Sequence, residues 1–146
     1  MKLEDQVCSL ELAKRLKELG VKQESYLYWH LAKFSEVKNH NVPDMWIITD
    51  LRSRKTLLPD ECSAFTVAEI WGKLPHKLDA DNLTSFLVMK KVEQNDGTGV
   101  INTILNYEMI SGTIHPWCQN EENPADACAK MLIHLIDQGL VKKEGE

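Results

Sequence analysis

The sequence predicts an α+β domain, with helix-like and strand-like segments in the order α-β-β-α-β-β-α. Three patterns carry that expectation. Leu12, Leu16 and Leu19 recur at helical spacing, and Leu27, Trp29 and Leu31 alternate as in a strand. Cys128, Met131, Leu132, Leu135 and Ile136 form the apolar stripe of a helix lying on a core. Consecutive strands joined as hairpins imply an antiparallel sheet of about four strands, with helices packed on one face.

Each element has its own local signal. The first helix spans the leucine series and ends at Gly20, where a left-handed cap is expected. Tyr26, Tyr28 and Trp29 favour a strand from Glu24 to Leu31, with Tyr26, Tyr28 and His30 on the face opposite Leu27, Trp29 and Leu31. The polar residues 38–41 with Pro43 and Asp44 predict a loop, and Met45 to Leu51 a second strand pairing with the first. Thr66-Val67-Ala68-Glu69 reads as a capping box opening a short helix before Pro75. Residues 84–92 and 100–109 flank the turn-forming Asn95-Asp96-Gly97-Thr98-Gly99 and predict a hairpin. Asn123, Pro124 and Asp126 start the last helix, and Gly139 stops it.

Length and composition bound the rest. A chain of 146 residues fits one domain, residues 1–146, with 142–146 as a flexible tail. A domain this size buries about 68–70% of its unfolded surface and needs no staples. The 43% hydrophobic and 27% charged fractions are ordinary for a globular protein. A net charge of −5 disfavours a general nucleic-acid binder, although the first forty residues are balanced. Four cysteines without a CxxC pair, no signal-peptide core and no apolar run of membrane length lead us to expect a cytoplasmic protein with reduced thiols.

Motifs for catalysis are weak. His115 and Cys118 have a chelating spacing, but Cys128 and His134 lie six apart on one helix and supply no second pair, so no metal is assigned. No GxSxG elbow, P-loop, HExxH or paired-histidine motif occurs, and neither a catalytic residue nor a cofactor is assigned. Leu16, Gly20, Val21, Ser25 and Trp29 imitate a helix-turn-helix, but the bulky Leu16 sits where helices must cross closely. The aromatics that follow also favour a strand. DNA binding is therefore the third reading.

Arg52 and Arg54 lie two apart just beyond the second strand and could grip a phosphate together. Tyr28 and His30 share one strand face, and Trp117, in the loop before the last helix, is the tryptophan expected at the surface. These five residues form the candidate ligand site, against the plainer reading of a solvated sheet face with rim arginines.

Residues 8–25, the stretch Ala64-Phe65-Thr66-Val67-Ala68-Glu69 and residues 125–133 together resemble a group of small phage and prophage proteins of unknown function. The resemblance covers 33 of the 146 residues, under a quarter of the chain, and transfers no site. It implies a protein made inside an infected or lysogenic bacterial cell. By analogy with that class, the expected role is an accessory binding protein that captures a small nucleotide-like ligand in antagonism of host defence. The alternative is occlusion of a host protein by an exposed patch, which homo-oligomerisation would consume. No membrane partner is expected.

Overall fold

The computed structural model describes residues 2–33, 43–50, 57–80, 83–94, 98–109 and 114–142, with the backbone alone at 80, 83 and 114–117. α1 (Leu10–Glu18) turns Ala13 and Leu16 inward and ends where Gly20 adopts a φ of +84°. A residue with a Cβ would resist that left-handed turn. β1 (Leu27–Ala32) pairs antiparallel with β2 (Met45–Asp50), from Leu27 opposite Asp50 to Ala32 opposite Met45. The two-residue β3 (Cys62–Ser63) pairs with the other edge of β1.

α2 (Val67–Trp71) opens on the expected capping box. Thr66 Oγ1 accepts from the Glu69 N–H, while the Glu69 carboxylate accepts from the Thr66 N–H at 2.7 Å. The same carboxylate also takes the Ser25 hydroxyl at 3.0 Å and the Tyr26 N–H at 3.2 Å, which fastens the start of β1 to α2. A second antiparallel sheet follows in the order β4-β5-β6-β7, made of β4 (Lys77–Ala80), β5 (Leu83–Glu93), β6 (Ile101–Met109) and β7 (Ile114–Glu121). The β5–β6 hairpin forms where the sequence predicts one, with Glu93 opposite Ile101.

α3 (Pro124–Asp137) is built as its sequence predicts. The Asn123 carbonyl oxygen accepts from the Ala125 N–H at 2.8 Å, and Gly139 takes a φ of +70° beyond the C-terminus. All five stripe residues are buried. α3 packs on β6 and β7 and against α1 and α2, so one core joins Trp29 and Cys62 to Leu105 and Tyr107. Residues 7–9 tie the parts together. The Asn123 amide donates to the Val7 carbonyl, the Cys8 N–H to the Phe65 carbonyl, and the Ser9 N–H to Asp126.

The fold is α+β, with antiparallel strands and helices on the core side. It differs from the expected arrangement in one respect. The two hairpins do not lie side by side: each belongs to its own sheet, one completed by β3 and the other by β4 and β7. Trp117 belongs to β7 rather than to a loop. Pro116 is tolerated there because β7 is an edge strand, where a missing N–H breaks no inner ladder. Trp71, inside α2, is half-buried against the core. Residues 27–32 are strand, so no recognition helix follows Gly20, and the helix-turn-helix likeness ends with α1.

Candidate functional site

The three-stranded sheet sorts the expected ligand residues by alternation. Leu27 and Trp29 pack into the core, alternation puts Leu31 on the same strand face, and Trp29 donates its indole N–H to the Cys8 carbonyl at 3.1 Å. Tyr28 and His30 therefore share the opposite face, as the sequence implies. Their surroundings differ. Tyr28 is only 3% exposed, whereas the His30 side chain is 29% exposed. Ile47, directly opposite His30 on β2, and Met45 beyond it are exposed apolar side chains of that face.

Glu61 is the residue that the sequence did not single out. It is 1% exposed, and its Oε1 lies 2.8 Å from His30 Nδ1. Register explains the meeting: Tyr28 pairs with Ser63 and Trp29 with Cys62, so one step further sets Glu61 against His30. A tight turn over Leu58 to Glu61 holds the carboxylate from behind. The Leu58 N–H donates to Oε2 at 2.7 Å, and the Glu61 N–H donates to the Leu58 carbonyl. Lys17 of α1 reaches across and donates to the carbonyls of Pro59 and Glu61, at 2.6 and 2.5 Å. Exposed Leu58 thus flanks the carboxylate that holds His30, and exposed Ile47 lies opposite His30 on β2.

This geometry fixes one tautomer. A carboxylate accepts but cannot donate, so the neutral imidazole carries its proton on Nδ1 and presents the Nε2 lone pair. When the ring is protonated, Nε2 becomes a donor that suits an anion. Among the described residues, the neighbouring Ser63 and Cys62 offer no accessible nucleophile. Ser63 on the same face is fully buried and accepts from the Ser25 N–H. Cys62 lies on the opposite face beside Trp29, and burial raises its thiol pKa despite nearby Lys17 and Lys14.

The remaining expected residues fall elsewhere. Arg52 and Arg54 lie outside the described residues; the six residues 51–56 join Asp50, opposite Leu27, to Leu57, four positions before Glu61. Trp117 belongs to β7 of the other sheet, and its side chain is not described. Cys118 is exposed on β7, Cys128 is enclosed in the core, and the side chain of His115 is not described. Among the described residues, no three His, Cys, Asp or Glu side chains converge as a metal ion requires. No described helix is long and apolar enough to cross a membrane. No protein-family model, no curated protein and no solved structure matches this chain.

Proposed function

We propose that this is a binding protein of phage or prophage type that captures a small nucleotide-like ligand against the His30 face, in antagonism of host defence. One observation carries the reading: a buried carboxylate fixes a part-exposed imidazole whose rim is apolar. A heteroaromatic base can lie on the imidazole and against Ile47 and Leu58. Nε2 can accept from the base, or, once protonated, donate to phosphate. Arg52 and Arg54, in the segment that joins β2 to the Glu61 turn, supply the bidentate phosphate donors.

A thermal-shift screen of the full chain against nucleotides and cyclic dinucleotides tests it. A ligand at a hundred times its dissociation constant stabilises the fold by about 2.7 kcal/mol. The expected result is a hit that His30→Ala and the Arg52→Ala, Arg54→Ala pair each abolish. Silence across the panel, or a hit indifferent to all three substitutions, would sink the reading.

Occlusion of a host protein is the second reading, favoured by the exposure of Met45, Ile47 and Leu58 around the same histidine. It predicts that Ile47→Asp abolishes partner binding while leaving the thermal midpoint of the free protein unchanged.

A further inference from the structure

A different part of the molecule carries a second site. A hollow of about 520 Å3 opens between the N-terminal turn at Asp5, the start of α2, the β5–β6 hairpin and the start of α3. It adjoins a groove of about 580 Å3 that runs along α2 past Trp71, Leu87 and Met89, because Val67 and Ala68 line both. Volumes of roughly 300–1,000 Å3 are those of small-molecule sites.

Val67 and Ala68 on the helix side and Ile101 and Pro124 opposite give the hollow its apolar wall, with Gln6, Thr66 and Thr103 as its uncharged polar part. Three charges stand on this lining: Lys91 from β5, and the carboxylates of Glu122 and Asp5. Asp5 already accepts from the Lys2 backbone N–H at 3.1 Å. Lys91 and Glu122 are exposed, and neither has an ion-pair or hydrogen-bond partner among the described residues. Opposite charges line one hollow without pairing across it, an arrangement that a ligand bearing both signs would bridge.

We propose that this hollow binds a small apolar zwitterion of the amino-acid type: a free α-amino acid or a dipeptide with apolar side chains. Its carboxylate meets Lys91, its ammonium meets Glu122 and Asp5, and its side chain lies against Val67, Ala68 and Ile101. Two carboxylates against one ammonium repel a phosphate, so the site is chemically distinct from the His30 face. A fatty acid satisfies Lys91 alone and leaves the two carboxylates beside bare hydrocarbon.

The test is a two-dimensional amide NMR titration of the full chain with L-leucine and L-leucyl-L-leucine, followed at Val67, Ala68 and Ile101. The expected result is saturable shifts at those amides. N-acetylation or C-amidation of the dipeptide should each weaken binding about tenfold. Lys91→Gln should erase the penalty for amidation, and Glu122→Gln the penalty for acetylation. Both substitutions are at exposed positions, so the fold is kept. Absence of shifts at millimolar ligand, or equal binding of blocked and free dipeptides, would overturn the proposal.

Discussion

At Glu61 a single side chain decides the state of another. Taking a carboxylate out of water is costly unless it is hydrogen-bonded, and here the Leu58 N–H and His30 Nδ1 both meet it. Removing the acceptor leaves two donors facing a void. We expect Glu61→Ala to lower unfolding free energy by about 1.5–3 kcal/mol in urea denaturation, and Glu61→Gln to lower it by less, because its carbonyl can still accept. Tautomer is the sharper readout. Long-range proton–nitrogen spectra of the neutral protein should show His30 protonated at Nδ1, and Glu61→Ala should move that proton to Nε2. Protonation at Nε2 in the unaltered chain would remove the role given to Glu61. The sequence shows His30 as one of an alternating pair, but Glu61 stands in no pattern. Its meeting with a residue 31 positions away depends on strand register, which composition and periodicity do not record.

At the scale of elements, what could be read in advance was what is encoded locally. Helix periods, caps and glycine stops depend on residues within four positions of one another, and α1, α2 and α3 follow them. Strands β1, β2, β5 and β6 show as alternation or as β-prone runs beside turns. β3 is two residues long and too short for any period, β4 mixes Lys77 and Asp79 into four residues, and β7 contains Pro116 and ends in the polar Gln119, Asn120 and Glu121. All three are completed by pairing with a strand the chain has already built or builds next. The α2 cap shows how a local motif takes on a long-range load. The Thr66 hydroxyl bonds to Glu69 of its own helix, so Thr66→Ala should cost about 1 kcal/mol. Glu69 also holds the Ser25 hydroxyl and the Tyr26 N–H, 44 and 43 positions away, so Glu69→Ala should cost clearly more and should speed amide exchange at Tyr26. Equal losses from the two substitutions would show that the bridge to β1 contributes nothing.

For the whole molecule, one core shared by both sheets and all three helices makes the thiols a reporter of global folding. Burial pushes the Cys8 and Cys128 thiols up from 9.0 to about 12, each with no exposed surface. Burial also raises Cys62 and the phenol of Tyr107, which donates to the Pro75 carbonyl at 2.7 Å. The sign follows from which state holds the proton. Below pH 9 both states keep these protons and the packing contributes in full; above it the unfolded chain releases protons that the folded chain retains. Stability must therefore fall as pH rises from 9 towards 12. At pH 10 the loss is on the order of 1 kcal/mol for each of Cys8 and Cys128. Urea unfolding under reducing conditions should give a lower midpoint at pH 10 than at pH 7.5, and Cys8→Ala should shrink that difference by one thiol's share whatever it costs at neutral pH. Exposed Cys118 offers an internal contrast. In the native protein it should react with a thiol reagent within the mixing time, while Cys8 and Cys128 react only as fast as the core opens. A pH-independent midpoint, or prompt reaction of all thiols, would mean that the two sheets and α3 do not close over a common interior.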